Sequence, residues 1–223
     1  MKAVILAAGV GSRLGRPFPK TLSRLPGGET ILGRQIRLLR KNGIDEIIVV
    51  VGFKMNLIME SYPEVYYKYN PVYYITNTSK SLLNGIKDCN DDIIWLNGDV
   101  VCDEGVIERI ISSEGNAIAV TPAQCGEEEV KYTTDPEGYI TAISKTVKNA
   151  EGEALGINKV VAEELAEFKE CLQQCDDNDY FEKGIEFMIE RGKKFKAIDV
   201  SEYRCIEVDF KEDWDQVVSL FSK

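Results

Sequence analysis

The sequence predicts an α/β protein in which a Rossmann-like mixed β-sheet is flanked by helices within a single domain. Short apolar runs alternate with longer amphipathic ones along the first 122 residues, which is typical of strands that alternate with helices. Several of the short runs are apolar throughout, as expected of parallel strands that are buried on both faces. After residue 122 apolar and polar residues alternate, which indicates added antiparallel strands. No clear linker interrupts the 223 residues.

The N-terminal segment predicts a β-strand, a helix and a second parallel strand. The runs "KAVILAA" (2–8) and "DEIIVVVG" (45–52) are the two strands, and the segment between them has apolar residues at helical spacing. Thr30 is a suitable residue to cap the start of that helix, and Asn42 followed by Gly43 is a common helix end. This region is therefore expected to form a βαβ unit.

The remaining elements follow from the same patterns. We expect further strands at 65–70, 92–99 and 117–122, a hairpin around the turn "DPEG" (135–138), and a strand at 205–210 that ends the sheet. Helices are expected at 54–62, within "TNTSKSLLNGIKDC", near 104–113, at about 160–174 and 179–192, and over "EDWDQVVSLFSK".

The composition excludes several classes of function. A net charge of −10 and a pI near 4.8 argue against a nucleic-acid-binding surface, which needs a basic face. The sequence contains no histidine, so mechanisms that use an imidazole base are excluded. No apolar run reaches the roughly 20 residues that span a bilayer, and the N-terminal apolar run is not ordered like a signal peptide. We therefore expect a cytoplasmic protein with neither nucleic acid nor membrane as a partner.

The six cysteines are not expected to form a metal site or disulfides. They are scattered without a CxxC pair, and no histidine is present to complete a zinc site. A chain of 25.0 kDa has a core large enough to be stable without disulfides. Reduced thiols are the simpler interpretation.

The segment "LAAGVGSRLGRPFPKTLSRL" (5–24) is unusual in an acidic protein because it is basic and rich in glycine. It contains four cations and no acidic residue: Arg13, Arg16, Lys20 and Arg24. It also follows the first predicted strand, and ligands of open α/β sheets bind outside the carboxyl ends of the strands. A local concentration of positive charge attracts an anionic ligand.

Two common phosphate-binding patterns do not fit this segment. A Walker A loop needs Gly-Lys followed by Ser or Thr, whereas Gly11 is followed by Ser12 and Arg13. A dinucleotide fingerprint needs a third glycine where this sequence has Leu14. The remaining interpretation is a loop of small residues whose exposed backbone amides, with cations behind them, bind a polyphosphate.

The pattern "LAAGVGSRLG…PFPK" resembles the signature of the nucleotidyltransferase family, which includes MobA-like and sugar-phosphate nucleotidylyltransferases. The resemblance extends to "WLNGDV", "EALGINKV" and "IEVDF". It implies a GT-A-like, nucleotide-diphospho-sugar transferase fold in one domain (1–223), with an NTP-binding half (1–122) and an acceptor-binding half (123–223). Within the family, "YNPVYYITNTSKSL" is most similar to the corresponding segment of bacterial phosphocholine cytidylyltransferases.

The resemblance implies Mg²⁺-dependent transfer of CMP from CTP to a small phosphate or phosphonate ester, with release of pyrophosphate. Arg13 is expected to hold the β- and γ-phosphates, and Lys20 the α-phosphate or the incoming phosphate. Asp99 and Asp209 resemble the two magnesium ligands of the family, and Asp209 lies in the acceptor-binding half. A phosphate monoester is largely dianionic near neutral pH, so this chemistry needs no histidine base.

Residues that contact the nucleotide are expected mainly in the first loop and at the start of the third helix. Hydroxyl and amide side chains at a helix start could equally be caps, and Thr78 is ambiguous in the same way. The expected nucleotide-binding residues are Leu6, Ala7, Ala8, Gly9, Gly11, Ser12, Asn77, Ser79 and Gly98.

The acceptor site is expected in the second half of the chain. Aromatic faces and a carboxylate there would suit a quaternary ammonium such as that of phosphocholine. The expected acceptor-binding residues are Lys145, Glu129, Lys131, Tyr132, Tyr180 and Glu182. Inositol phosphate, aminoethylphosphonate and sugar 1-phosphates remain alternative acceptors, and the oligomeric state stays open, a homodimer included.

Two other functions remain open at this point. A sugar-1-phosphate nucleotidylyltransferase that uses UTP, GTP or dTTP would share the signature and differ in the base-contacting segment 74–81 and in the acceptor pocket. A catalytically silent nucleotide-binding regulatory domain would share the fold, although such domains usually lack a metal-binding aspartate or the signature lysine.

Overall fold

The computed structural model describes residues 1–11, 15, 17–122 and 125–222. It confirms the predicted α/β fold. The helices are α1 (Ile31–Lys41), α2 (Met55–Ser61), α3 (Thr78–Ile86), α4 (Glu104–Ser112), α5 (Ala162–Gln174), α6 (Phe181–Glu190) and α7 (Lys211–Phe221), with a short 3₁₀ helix at Lys20–Leu22. The strands are β1 (Lys2–Ala7), β2 (Ile47–Val51), β3 (Tyr66–Tyr69), β4 (Ile93–Asn97), β5 (Val100–Cys102), β6 (Asn116–Thr121), β7 (Lys131–Thr134), β8 (Ile140–Ser144), β9 (Gly152–Val160), β10 (Phe195–Asp199) and β11 (Cys205–Glu207).

Nine strands of the described chain form one mixed sheet in the order β10-β6-β9-β4-β1-β2-β3, and the β7–β8 hairpin attaches to β9. Strand β1 runs parallel to β2 and β4, and β9 runs antiparallel to both β4 and β6. The apolar run that predicts β1 therefore fills the middle of the parallel half, where both faces are covered.

The predicted βαβ unit is present at the start of the chain. Helix α1 begins after Thr30, whose Oγ1 accepts a hydrogen bond of 3.0 Å from the backbone N–H of Gly33. It ends near Asn42, and Gly43 then takes a positive φ of 78°, which glycine adopts at little cost.

Apolar clusters cover both faces of the sheet. One joins the sheet to α1, α2 and α4, and the other joins it to α3, α5 and α6. In the second cluster Trp95 on β4 stacks on Phe168 of α5 with ring centroids 5.3 Å apart. This two-sided packing holds the strand ends in fixed positions, which a site built on those ends requires.

The C-terminal part of the chain differs from the prediction in its strands. The strand expected to end the main sheet at 205–210 is shorter (β11), and it pairs antiparallel with β5 in a separate two-stranded sheet. Strands β9 and β10 were not predicted. A central glycine (Gly156) and two charged residues (Glu153 and Lys159) interrupt the apolar pattern of β9, although the strand is buried along most of its length.

Two further expectations concern cysteines and membranes. All six cysteines are free thiols. In the described ranges, no helix combines the length and the hydrophobicity that crossing a bilayer requires.

Candidate functional site

The main candidate site is a cavity of about 580 Å³ at the carboxyl ends of β1 and β4. These strands are parallel neighbours with Leu6 opposite Asn97, so their ends meet at one edge of the sheet. The glycine loop after β1 lines one side through Gly9 and Gly11, and segments from β9, α6 and β11 line the other sides. The position agrees with the general rule for ligand sites in open α/β sheets.

A glycine joins the ends of β1 and β4. The backbone N–H of Gly98 donates a 2.9 Å hydrogen bond to the carbonyl oxygen of Leu6. A Cβ atom at Gly98 would lie 2.5 Å from that same oxygen, so only glycine allows this close approach. The residue after this contact is Asp99, whose position at the floor of the cavity therefore depends on the glycine.

Lys20 joins two acidic residues that are distant in sequence. Its Nζ lies 2.6 Å from Asp99 Oδ2 and 2.9 Å from Asp209 Oδ1, and it donates a further bond of 2.7 Å to the carbonyl oxygen of Val208. Burial alone would lower the pKa of Lys20, but the two carboxylates outweigh burial and raise this pKa above its ordinary value. Lys20 is therefore a permanent cation between two carboxylates.

The pairing of β11 with β5 brings Asp209 to Asp99. Glu207 is the register partner of Val100, and the backbone N–H of Val208 donates to the carbonyl oxygen of Asp99 over 3.1 Å. Asp213, in the first turn of α7, accepts a hydrogen bond of 2.9 Å from the backbone N–H of Asp209. The backbone of both aspartates is thus held by hydrogen bonds.

Gln35 supports the turn between β4 and β5 from inside the core. Its side chain, only 2% exposed, donates hydrogen bonds of 2.8 Å to the carbonyl oxygens of Asn97 and Val100. These two residues flank the Gly98–Asp99 pair. The amide of Gln35 therefore satisfies buried carbonyl groups that the turn leaves outside the sheet ladder.

Asp99 and Asp209 fit a divalent cation of the magnesium type. The Oδ1 atom of Asp99 is buried and accepts no hydrogen bond from any residue that the structure describes, so it remains available as a ligand. Carboxylate oxygens are the donors that Mg²⁺ prefers, together with phosphate oxygens and water. In the described ranges no group of three or more acidic or thiol side chains has metal-binding geometry, so two carboxylates would be the protein's contribution.

Glu207 lies beside these aspartates. Burial and the nearby carboxylates of Asp99 and Asp209 raise the pKa of Glu207 well above its ordinary value, although Asn97 Nδ2 donates a 3.0 Å hydrogen bond to Glu207 Oε1. Asn97, at the end of β4, thus orients a glutamate that faces the same cavity. Sequence reasoning did not identify Asn97, which directly precedes the "GD" pair of the predicted metal segment.

Three further glutamates line the cavity: Glu129, Glu153 and Glu182, which we name the glutamate wall. Burial raises the pKa of both Glu153 and Glu182 to about 7, and the carboxylate of Glu129 adds to the shift at Glu153. Glu129 and Glu182 were predicted to bind the acceptor, and Glu153 was missed. A charged residue inside the otherwise buried run "EALGINKV" is the signal that points to it.

Lys145 and Tyr180 also line the cavity, as predicted for acceptor-binding residues. The ammonium of Lys145 lies 4.9 Å from the centre of the Tyr180 ring and 3.3 Å from Glu128 Oε2. The outer face of the cavity therefore already contains a cation–π pair and an ion pair.

Two predicted acceptor residues are placed elsewhere. Tyr132 is 4% exposed and packs in the core cluster that covers α3, α5 and α6, because its position on β7 faces that layer. The ammonium of Lys131 donates a 2.8 Å hydrogen bond to the carbonyl oxygen of Lys145 within the hairpin. Neither residue is part of the lining that the described chain forms.

The predicted base-contacting residues at the start of α3 mostly have structural roles. Asn77 accepts a hydrogen bond from the backbone N–H of Thr78 and so caps the helix, and Ser79 donates to the carbonyl oxygen of Asp179. The alternative interpretation as a cap fits the geometry of Asn77, whereas Ser79 connects α3 to the segment before α6. Thr78 does line the cavity, although its Oγ1 also accepts a hydrogen bond from the backbone N–H of Phe181.

The first loop is described in part. Leu6, Ala7, Gly9 and Gly11 line the cavity, whereas Ala8 is 4% exposed and accepts a hydrogen bond from the backbone N–H of Phe53. The predicted phosphate ligand Arg13 and the predicted nucleotide contact Ser12 lie outside the described residues.

The fold and the paired carboxylates beside a glycine loop at the strand ends fit the class of nucleotide-binding α/β domains. The sequence matches the family described as "MobA-like NTP transferase domain" over residues 3–176. The chain belongs to this family, so the predicted membership of a nucleotidyltransferase family is confirmed.

Three proteins illustrate the similarity. CMP-5'-(3-aminopropyl)phosphonate synthase of Streptomyces rubellomurinus is 30% identical over 63% of this chain and 24% of that protein. CTP:phosphoglutamine cytidylyltransferase of Campylobacter jejuni is 25% identical over 96% of this chain and 97% of that protein. The solved structure of CTP:phosphocholine cytidylyltransferase from Streptococcus pneumoniae has a TM-score of 0.78 at 18% identity and covers 98% of both chains.

These relatives differ in length. This chain spans about a quarter of the Streptomyces protein and nearly all of the Campylobacter protein. At 18% identity, the likeness to the Streptococcus structure concerns the fold.

Proposed function

We propose that the protein transfers a cytidylyl group from CTP to a small phosphate or phosphonate ester and releases pyrophosphate. One observation carries the proposal: Lys20, Asp99 and Asp209 converge at the floor of a cavity that the glycine loop borders. This arrangement provides cation sites and exposed backbone amides at one place, which is what a triphosphate needs.

The residues perform separate tasks in this reaction. An oxygen of the acceptor phosphate attacks the α-phosphorus of CTP, the bond to the β-phosphate oxygen breaks, and pyrophosphate leaves. A magnesium ion held by Asp99 and Asp209 would supply charge neutralisation on the phosphate oxygens. Lys20 remains protonated beside the carboxylates because its pKa is raised, so its positive charge is available at the α-phosphate.

The acceptor needs no general base. Its phosphate group has a second pKa near 6 and is largely dianionic at neutral pH. The protein's contribution is alignment of the two phosphates and stabilisation of the charge that develops on the leaving group. The absence of histidine from the sequence is compatible with this mechanism.

The choice of CTP rests on the relatives. The names of the Streptomyces and Campylobacter proteins specify CMP or CTP chemistry on a phosphonate and on phosphoglutamine. Both acceptors are small molecules that present a phosphorus oxyacid, and a cavity of about 580 Å³ has room for ligands of drug-like size.

The proposal is tested by pyrophosphate release from CTP, UTP, GTP and dTTP, each with Mg²⁺ and a panel of small phosphate esters and sugar 1-phosphates. We expect turnover with CTP and a phosphate or phosphonate ester. Preference for another nucleotide with a sugar 1-phosphate would support the sugar-1-phosphate nucleotidylyltransferase instead. Nucleotide binding without turnover on any acceptor would support a regulatory domain.

A further inference from the structure

We propose that the acceptor carries a primary ammonium group, which the glutamate wall (Glu129, Glu153 and Glu182) binds while the phosphate faces Lys20. This inference rests on the proposed function, because it identifies the class of ester that the same cavity accepts. It follows from the unpaired carboxylate oxygens of the wall, from its charge, and from the positions of the nearby aromatic rings.

Two carboxylate oxygens of the wall are buried and receive no hydrogen bond from any residue that the structure describes. Glu182 is 7% exposed, and its Oε2 has no partner among the described residues. The Oε2 of Glu129 is in the same situation. A buried acceptor without a donor is costly, so a native site that keeps such oxygens is expected to receive donors from a ligand.

The position of Glu182 is fixed by its helix. It lies in the first turn of α6, where the helix dipole favours a carboxylate, and its own backbone N–H bonds to that carboxylate. The start of α6 is in turn held by the 3.0 Å hydrogen bond from the backbone N–H of Phe181 to Thr78 Oγ1. Glu182 therefore cannot easily turn away from the cavity to reach water.

The described lining of the cavity holds more acidic than basic side chains, even when Glu153, Glu182 and Glu207 are left out because their pKa values are raised, and this excess favours a ligand with a cationic group. This lining contains two lysines and eight acidic residues: Asp99, Glu128, Glu129, Glu153, Glu182, Glu207, Asp209 and Asp213. Lys20 contacts Asp99 and Asp209, and Lys145 is paired with Glu128. The nearby charged groups that affect the pKa of Glu153 are both carboxylates, those of Glu129 and Asp213, so no cation of the described residues neutralises it. Neutral sugar hydroxyls would donate hydrogen bonds here but would not offset this charge.

Two of the three aromatic residues in the described lining, Tyr180 and Phe181, disfavour a quaternary ammonium beside the glutamate wall, and the third, Phe210, directly follows the proposed metal ligand Asp209. A quaternary ammonium has no N–H and is recognised by the open faces of aromatic rings. Phe181 is 1% exposed and packs edge-on against Trp95 in the core, and Tyr132 is buried as well. The ring of Tyr180 is already covered by the ammonium of Lys145. A primary ammonium has three N–H donors and matches the unpaired carboxylate oxygens instead.

The test compares acceptors that differ only at nitrogen. With CTP and Mg²⁺, kcat/KM for pyrophosphate release is measured for two- and three-carbon phosphate esters in three forms: primary amine, trimethylammonium and unsubstituted alkyl chain. Glucose 1-phosphate is added as a hydroxyl-rich acceptor. A charged hydrogen bond of ordinary strength predicts that the primary amine exceeds the alkyl ester by roughly 10- to 100-fold.

Each outcome decides the inference. Equal rates for the amine and the alkyl ester, or a preference for the trimethylammonium ester or glucose 1-phosphate, would overturn it and leave the proposed nucleotidyl transfer standing. No turnover with any ester and any nucleotide would overturn the proposed function, and the acceptor inference with it. The comparison uses the wild-type protein, so it does not depend on the folding of a variant.

A variant then locates the amine site. Glu182→Gln is expected to reduce the preference for the amine over the alkyl ester about 10-fold, because the amide has no negative charge and one acceptor oxygen fewer. Glu190→Gln, on the exposed face of the same helix, is the matched control and should retain the full preference. An unchanged preference in a folded Glu182→Gln protein would contradict the assignment of the amine to the glutamate wall.

Discussion

The ammonium of Lys20 lies 2.9 Å from a carboxylate oxygen of Asp209, although 189 residues separate them in the sequence. The same ammonium contacts Asp99, so one side chain joins the N-terminal loop, the end of the β4–β5 turn and the C-terminal strand. This contact explains how a signature at the start of the chain and an aspartate near its end form one site.

Replacement of Lys20 by Met should affect both catalysis and stability. Asp99 and Asp209 would then lie close together without the ammonium between them. We expect the free energy of unfolding to fall by about 2 kcal/mol, which lies between the values for exposed and for fully buried ion pairs. The rate of pyrophosphate release should fall roughly 10²- to 10³-fold, as for the loss of other charge-stabilising groups. Turnover is measured under saturating CTP, and stability by thermal melting.

Magnesium should raise the melting temperature of the Lys20→Met protein more than that of the wild type. The divalent ion and the ammonium compete for the same carboxylates, so removal of the lysine leaves the metal as their only strong counterion. Lys211→Met, which removes an exposed lysine paired with Asp215, is the control. If Mg²⁺ raised the melting temperatures of the Lys20→Met protein and the wild type equally, the metal ion and the Lys20 ammonium would not share a binding position.

Asp99→Asn and Asp209→Asn should each abolish most of the turnover without unfolding the protein. The amide keeps the size of the side chain but loses the negative charge that a divalent cation requires. We expect losses of at least about 10²-fold in kcat, on the scale of other electrostatic contributions to catalysis. Asp215→Asn, at an exposed position of α7, should leave turnover unchanged. Wild-type rates in either active-site variant would exclude the proposed metal ligands.

Gln35→Met should destabilise the protein by about 2 kcal/mol, because the carbonyl oxygens of Asn97 and Val100 would lose their buried donor. The substitution nearly conserves volume, so a cavity contributes little. Urea unfolding measures the effect, and Lys41→Met on the exposed side of α1 is the control. A loss no larger than that of the control would show that water or another group satisfies these carbonyls.

The central fold could be predicted because its elements have strong local patterns. Strand β1 is apolar throughout, and helix α1 has both a capping threonine and a terminal glycine. Strand β9 could not be predicted in the same way, because Gly156 interrupts it with a positive φ of 64° and its pairing is with strands far away in sequence. Long-range pairing leaves little local signal.

The site was predictable where the sequence resembles the nucleotidyltransferase signature. Lys20, Asp99 and Asp209 are polar residues in conspicuous motifs, and the structure brings them together. The aromatic residues were less predictable, since only packing decides whether a tyrosine such as Tyr132 faces a cavity or the core. The cap at Asn77 shows the same limit, because helix starts and binding sites use the same residue types.

Protein stability should decrease as pH rises from about 4.5 to about 7 because of two buried glutamates. Burial raises the pKa of both Glu153 and Glu182 to about 7. The carboxylates of Glu129 and Asp213 add to the increase at Glu153. At Glu182 the carboxylate of Glu186 also raises the pKa, and the ammonium of Lys145 lowers it. The folded protein therefore retains protons that the unfolded chain has already released, which favours the unfolded state as pH rises through this window. Above about pH 7 both states are ionised and the penalty is constant.

The measurement is the free energy of unfolding in urea at pH 5.5 and pH 7.5. The Glu153→Gln/Glu182→Gln double variant should depend less on pH than the wild type, and Glu190→Gln should follow the wild type. A double variant with the same pH dependence as the wild type would show that these groups ionise normally in the folded protein.

Gly9→Ala should impair nucleotide binding while leaving the fold intact. Gly9 is exposed, its φ is not in the left-handed region, and a Cβ atom built there meets no atom of the described residues within 4 Å. The free protein should therefore accept the methyl group, and the melting temperature should stay within about 1 °C, since surface substitutions away from special features have small effects. The methyl group projects from a loop that lines the cavity, where close approach of the backbone to a triphosphate is proposed.

The KM for CTP of Gly9→Ala should rise roughly 10-fold, about 1.4 kcal/mol, with a smaller change in kcat. Gly98→Ala provides the contrast, because its Cβ would clash with the carbonyl oxygen of Leu6 and should lower the melting temperature as well as the rate. If Gly9→Ala bound CTP as the wild type does, the triphosphate would have to lie away from the first loop, and the assignment of the glycine segment to phosphate binding would be wrong. A selective loss of CTP affinity at unchanged stability would instead place the nucleotide against the backbone of this loop, because nothing in the described fold occupies that space.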